Sequence, residues 1–118
     1  MLDKEKIESA YTLLAQAFGE ENELRMCIEE MSELTKELCK YIRYLNAPDI
    51  NEEEKTKLLE KVKNNIIEET ADVLLCTGQV KKMFGSEQVE KMMMYKIERG
   101  KKQAEDYLAK QNLGENNG

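Results

Sequence analysis

Two acidic motifs contain the residues of this chain that are best suited to metal binding or catalysis. The first is Glu29-Glu30-x-x-Glu33, in the stretch CIEEMSEL, and the second is Glu69-x-x-Asp72, in the stretch ETAD. Residues three apart share one face of a helix, so each motif presents a pair of carboxylates in one direction. Two such pairs meeting across antiparallel helices would make an all-oxygen site, which suits Mg²⁺ or Mn²⁺ better than zinc.

Glu69 is the most informative of these acids. On a helical wheel centred on Val73, Glu69 lies only about 40° from the centre of the apolar arc, and Asp72 lies about 60° beyond it. Burying an unpaired carboxylate costs several kcal/mol, so a carboxylate at such a position is normally paired, protonated or bound to a metal. On their own helix, Glu30 and Glu33 lie at the border of the apolar stripe.

A solvated charged face is the alternative interpretation of the same acids. In that case they would lie in water beside Lys36, Lys40 and Lys81. A Glu-x-x-Glu pattern is common in charged helices, so neither motif decides the matter by itself. The position of Glu69 on an apolar arc favours a binding site.

A cationic segment near the end of the chain is the second unusual feature. In the stretch MMMYKIERGKK, Lys96 lies about 60° from Met93 on the wheel, within the apolar arc, and Arg99 lies about 60° beyond it. One interpretation is that the aliphatic stems cover apolar surface while the charges reach water. The other is a phosphate-binding pair near a metal site, since acids for a cation and bases for phosphate oxygens together suit phosphoryl chemistry.

Helices must position these residues. Apolar residues recur at helical spacing over 3–18, 21–45 and 52–84 and again from 86 onward, and no segment alternates with period two for long. In the second helix the apolar stripe is centred on Met31 and is predicted to face the core. Gly19, Pro48 and Gly85 separate the helices, and Asn51 and Ser86 are candidate N-caps.

Length and composition favour one small all-α domain. The chain has 118 residues, of which 41% are hydrophobic and 36% charged, with a single proline. We therefore predict an antiparallel four-helix bundle over residues 1–110 and a flexible tail over 111–118. One small helical layer cannot cover apolar stripes of this length, so self-association is expected.

Several classes of protein are disfavoured. The net charge of −6 argues against binding to a nucleic-acid polymer. The chain contains no histidine, which removes the commonest general base and transition-metal ligand. No apolar run reaches about 18 residues, so no membrane span is expected. The cysteines Cys27, Cys39 and Cys76 lie within apolar helical patterns, which predicts buried thiols in a reducing, cytoplasmic compartment.

Taken together, the motifs resemble those of the MazG-like, all-α nucleoside triphosphate pyrophosphohydrolases. The E-E-x-x-E and E-x-x-D pairs match, YKIER is similar to the Lys/Arg stretch of that family's last helix, and the likeness covers about residues 19–102. The segment between the two acidic motifs is longer than is usual in the family. The resemblance implies a helical homodimer or homotetramer with Mg²⁺ held by the residues Glu30, Glu33, Glu69 and Asp72.

The resemblance also implies an activity. Water would attack the α-phosphorus of a (d)NTP or modified nucleotide and release a monophosphate and pyrophosphate, as in house-cleaning or nucleotide-pool control. Glu29 would orient a ligand or water, and Lys96, Arg99 and Tyr95 would contact the phosphates. The relatives act on several nucleotides, and nothing in this sequence selects one of them. The alternatives are a non-catalytic helical oligomerisation or adaptor module and a family member that binds nucleotide without cleaving it.

Overall fold

The structure, a computed structural model, describes the backbone of residues 1–117 and the side chains of residues 1–114. This part of the chain is all-α and contains no strand, which confirms that the fold is all-α. The antiparallel four-helix bundle stays a prediction. Its helices are α1 (Lys4–Phe18), α2 (Glu20–Leu45), α3 (Glu52–Phe84) and α4 (Ser86–Asn117). Among the residues that the structure describes, no helix is both long enough and apolar enough to span a bilayer.

The helix ends follow from local backbone chemistry. Gly19 and Gly85 separate consecutive helices with φ values of 83° and 124°, which residues with a Cβ adopt only with strain. Asn51 caps α3 as predicted, because its Oδ1 accepts a hydrogen bond from the Glu54 N–H at 2.9 Å. Ser86 is not an N-cap: it is the first residue of α4, since the connection from α3 is the single residue Gly85.

The chain divides into two compact units. The first, Met1–Val80, contains α1, α2 and most of α3, and the second begins at Lys81 and contains α4. Within the second unit, Lys81 Nζ pairs with Glu90 Oε1 at 2.8 Å across the Gly85 turn. The single domain over residues 1–110 stays a prediction. So does the flexible tail at 111–118, of which residues 111–117 continue α4 and Gly118 lies outside the described residues.

In the first unit, α2 and α3 run antiparallel. The Asn65 side-chain amide donates to Glu37 Oε2 at 3.3 Å, and the Cys27 thiol lies close enough to Cys76 to raise its pKa. Moving backward along α2 from residue 37 to 27 therefore moves forward along α3 from residue 65 to 76. This register is what brings the two acidic motifs together.

One row of buried or half-buried residues on each of α2 and α3 forms what we call the inner seam. Its residues recur at alternating spacings of three and four, as in other packed helix pairs. On α2 they are Glu23, Cys27, Glu30, Leu34 and Glu37, and on α3 they are Val62, Asn65, Glu69, Asp72, Cys76 and Gln79. Seven of these eleven side chains are polar or charged, and half-buried apolar residues such as Leu24, Ile66 and Val73 lie beside them.

The predicted centre of the core stripe of α2 is wrong for the single chain, although Cys27 is buried and Leu34 is half-buried. Met31, Ile28, Leu38 and Ile42 are 42%, 60%, 44% and 59% exposed. The centre of the packed face lies instead near Glu30, about 100° round the helix from Met31. The apolar surface of α2 is wider than one neighbouring helix covers, and α3 packs on the side that carries the acids.

Tyr11 ties α1 to α3. Its ring is buried at 8% exposure, and its hydroxyl donates to the Leu75 carbonyl oxygen at 2.6 Å. The Gln79 side-chain amide in turn donates to the Tyr11 carbonyl oxygen at 3.3 Å. Gly78 lies directly beneath the Tyr11 hydroxyl, so that a Cβ at position 78 would collide with it.

This close approach predicts that Gly78→Ala destabilises the protein. Alanine has the higher helix propensity, by up to about 1 kcal/mol, but the buried and hydrogen-bonded Tyr11 cannot move away cheaply, and overpacking costs about 1–3 kcal/mol. We expect the free energy of unfolding to fall by about 1–2 kcal/mol in urea titrations.

Gly100→Ala is the matched control, because Gly100 also lies within a helix and a Cβ there would meet no other atom within 4 Å. It should raise the free energy of unfolding by about 0.5–1 kcal/mol. Equal stabilisation by both substitutions would contradict the packing of Tyr11 against Gly78.

Candidate metal centre

Three carboxylates converge on the inner seam. Glu30 of α2 and Glu69 and Asp72 of α3 each offer one oxygen, and these three oxygens lie within 4.8 Å of one another. All three residues are half-buried. The structure thus brings together the Glu30 and Glu69-x-x-Asp72 parts of the two motifs, and we call this group the acidic triad.

Mutual repulsion and partial burial perturb the triad. Partial burial raises the pKa of Glu30, and the neighbouring charges of Asp72 and Glu69 raise it further. The pKa of Glu69 is likewise raised, first by desolvation and then by the charges of Asp72, Glu33 and Glu68. The metal-free site therefore favours protonation, and a bound cation would remove the repulsion that causes it.

Glu69 Oε2 is buried and has no hydrogen-bond partner. Glu37, on the same seam, shows the contrast: it is 8% exposed, but its two oxygens accept hydrogen bonds from Lys40 at 3.4 Å and Asn65 at 3.3 Å. The chain thus provides donors to both oxygens of Glu37 and none to Glu69 Oε2. An orphaned carboxylate oxygen among two further carboxylates fits a divalent cation that prefers oxygen ligands, such as Mg²⁺ or Mn²⁺.

The remaining acids of the first motif lie at the edge of this centre. Glu33 is exposed, yet it is near enough for its charge to raise the pKa of Glu69. It is not one of the three residues whose oxygens cluster. Glu29 is also exposed, about 100° round α2 from Glu30. The metal-ligand role of Glu33 and the orienting role of Glu29 stay predictions.

Tyr95, Lys96 and Arg99 are exposed on α4, in the second compact unit. Lys96 borders a shallow apolar hollow whose walls include Met92 and Met93. That arrangement agrees with a lysine stem lying along apolar surface while its charge reaches water. Contact between these three residues and phosphate stays a prediction.

Two polar residues of the inner seam beside the triad, Glu23 and Gln79, were not predicted from the sequence. Glu23 is 7% exposed and Gln79 is 4% exposed, and both line a cavity of about 260 Å³ that Glu30 and Asp72 also line. Glu23 precedes Glu30 by seven residues, or two helical turns, and Gln79 follows Asp72 by seven. Heptad spacing from the acidic motifs was the signal that would have identified them.

The cysteines separate into two kinds. Cys27 is buried and Cys76 half-buried, and burial together with the neighbouring Cys27 thiol raises the pKa of Cys76 to about 12. A thiol with so high a pKa stays protonated and is a poor nucleophile. Cys39 is exposed, so the prediction that all three thiols are buried is wrong, because Cys39 lies outside the inner seam of α2.

Comparison with known protein families, with characterised proteins and with solved structures finds no match to this chain. The resemblance to MazG-like enzymes therefore rests on the motifs themselves.

The raised pKa values predict how the metal-free protein responds to pH. Between the ordinary carboxyl pKa of 4.5 and the raised native pKa values of Glu30 and Glu69, the native state binds more protons than the unfolded state. The contribution of these two groups to the free energy of unfolding is therefore largest at or below about pH 4.5 and falls as pH rises through the native values. Urea titrations in the presence of a chelator should therefore show that the free energy of unfolding falls less with rising pH in Glu69→Gln than in the parent.

Glu60→Gln is the control, because Glu60 is an exposed glutamate of the same helix. It should follow the parent at every pH. We also expect saturating Mg²⁺ to raise the melting temperature of the parent at neutral pH and to have little effect on Glu69→Gln. Equal shifts in the parent and in Glu69→Gln would place the cation elsewhere.

Proposed function

We propose that this protein is a Mg²⁺-dependent nucleotide pyrophosphohydrolase of MazG-like type. The observation that carries the proposal is the buried, unpartnered Glu69 Oε2 within a triad of carboxylates from two helices. The paired E-E-x-x-E and E-x-x-D motifs add support, since both contribute to the same place in the fold. The substrate would be a (d)NTP or a modified nucleotide, and the products a monophosphate and pyrophosphate.

Glu30, Glu69 and Asp72 would hold the metal, with Glu33 joining them by a side-chain movement. When bound, the metal supplies charge neutralisation for the triphosphate and acidifies water. Glu29 and Glu33, exposed beside the triad, are the carboxylates available to accept a proton from the attacking water. Lys96 and Arg99 carry the positive charges for phosphate oxygens, in the way that arginine and lysine commonly bind them.

We further propose that the chain works as a homodimer or homotetramer. The proposal is supported by a stripe of exposed apolar residues on α2. They recur at helical spacings of three, four and seven and are Ile28, Met31, Leu38, Ile42 and Leu45. A contiguous apolar stripe of this kind on a soluble helix marks an interaction surface. A second copy of α2 would cover it with an equivalent surface, as in isologous dimers.

The same stripe favours the second candidate function, a non-catalytic oligomerisation or adaptor module. That function needs the apolar surface but gives no reason for an uncompensated carboxylate at a packed helix interface. It predicts that neither Mg²⁺ nor nucleotide changes the melting temperature, whereas the enzyme should gain stability from both together.

The enzymatic proposal predicts pyrophosphate release from at least one nucleoside triphosphate in the presence of Mg²⁺. Glu69→Gln should lower kcat/KM by about 100-fold or more, because it removes a ligand charge from the metal centre. Pyrophosphate measured over a panel of canonical and modified (d)NTPs tests this. Glu60→Gln, exposed on the same helix, should keep the parent activity. A panel on which the parent releases no pyrophosphate, or undiminished activity in Glu69→Gln, would refute the proposal.

The oligomeric proposal predicts that Leu38→Glu shifts the mass in solution toward the monomer. A charge in the centre of the stripe would have to be desolvated when a second copy covers it. Lys36→Glu is the control, since it adds a carboxylate to an exposed position about 140° round the helix from Met31. Sedimentation velocity should show an oligomer for the parent and the control. A monomeric parent would contradict this assignment.

A further inference from the structure

Glu23 is a buried carboxylate for which the metal centre gives no explanation. It is 7% exposed, its Oε1 atom is buried without a hydrogen-bond partner, and it is not part of the clustered acidic triad. Burial of an uncompensated carboxylate is costly. Glu37, equally buried on the same seam, accepts hydrogen bonds from Lys40 and Asn65, so burial on this seam does not by itself leave a carboxylate without a donor.

The cavity beside Glu23 has the character of a binding pocket for one ring. Its volume of about 260 Å³ is slightly below the range of about 300–1,000 Å³ for sites that enclose whole drug-sized ligands. Glu23 and Gln79 contribute polar groups to this cavity. Its apolar walls are provided largely by Tyr11, Leu14, Met26 and Leu75. Apolar walls with a few fixed polar groups are typical of small-molecule sites.

This cavity adjoins the acidic triad, because Glu30 and Asp72 belong to both. A ligand with its phosphates at the triad would therefore place its next portion, the sugar and base, toward Glu23. The cavity is too small for a complete nucleotide but matches the scale of a single base. The phosphate end and the base end of the ligand would thus contact different residues of α2 and α3.

The chemistry of Glu23 determines which bases fit. An unpartnered carboxylate oxygen such as Glu23 Oε1 is a hydrogen-bond acceptor, so an N–H group of the ligand would satisfy it. An amino group provides such donors, whereas a carbonyl oxygen in the same place would face the carboxylate with like charge. Gln79 cannot turn freely to compensate, because its amide nitrogen donates to the Tyr11 carbonyl oxygen.

We propose that this cavity is the base pocket of the enzyme and that Glu23 selects nucleotides whose base presents an amino group to it. The inference rests on the proposed function and deepens it, because it names the substrate class. Amino-bearing bases are accepted and their oxo or deaminated counterparts are rejected. Glu23 acts here as a specificity-determining residue that touches the substrate, separate from the residues that hold the metal.

Two matched substrate pairs test the assignment: dCTP against dUTP, and dGTP against dITP, each differing in one amino group. We expect the parent to prefer the amino member of at least one pair by about 10- to 100-fold in kcat/KM, the range of a hydrogen bond to a charged group. Glu23→Gln should reduce or reverse that preference, since its amide can offer N–H groups to a carbonyl oxygen. Its Mg²⁺ affinity should equal that of the parent.

Glu20→Gln is the control, because Glu20 is an exposed glutamate of the first turn of α2; it should keep the parent ratio. Glu23→Met is the second variant. It removes the buried charge, should be at least as stable as the parent in urea, and should also lose the preference. Calorimetry on the four corresponding monophosphates, dCMP, dUMP, dGMP and dIMP, gives the same comparison of binding without turnover.

Two results would overturn the inference while leaving the proposed function intact: an unchanged substrate ratio in Glu23→Gln, or loss of Mg²⁺ binding in that variant, which would make Glu23 a metal ligand. A parent that cleaves no triphosphate overturns the proposed function. If that parent also binds none of the monophosphates, or binds amino and oxo members equally, the base pocket is refuted as well.

Discussion

Repulsion between carboxylates on the inner seam is the interaction on which the rest of this structure depends. Glu30 of α2 faces Glu69 and Asp72 of α3 at a helix interface where apolar side chains would ordinarily pack. Desolvation and like charge both raise the pKa of Glu30 and Glu69, so the interface is poorly compensated without a cation. Stability lost in this way is characteristic of functional sites, where an arrangement is kept for binding at a cost to folding.

The same constraint explains the small core of the first unit. Its buried apolar residues are Tyr11, Cys27 and Val62, because much of the packed side of α2 and α3 is given to polar groups. Several large apolar side chains of α2, among them Met31 and Leu38, lie instead on the exposed stripe. A metal within the seam and a second copy on the stripe would each supply what the isolated chain lacks, so the two proposals are physically linked.

Local sequence signals predicted where the helices begin and end better than they predicted which face of α2 packs against α3. Gly19, Gly85 and the Asn51 cap determine helix ends through short-range backbone chemistry, and the anomalous position of Glu69 was visible on a helical wheel. The packed face of α2 was misjudged because hydrophobicity alone places Met31 at its centre, whereas the antiparallel register with α3 places Glu30 there. Glu23 escaped notice for a related reason: a carboxylate is expected in water, and only the seam shows that this one is buried.

The most direct test of the central claim is anomalous diffraction from crystals grown with Mn²⁺, which replaces Mg²⁺ at oxygen-rich sites and scatters anomalously. We predict an anomalous peak at the acidic triad, with oxygens of Glu30, Glu69 and Asp72 about 2.0–2.2 Å from the ion, close to the Mg²⁺–oxygen distance. No peak should occur at the triad in crystals of Glu69→Gln. A triad without a peak in the parent at saturating Mn²⁺, or a peak held by other residues alone, would contradict the account.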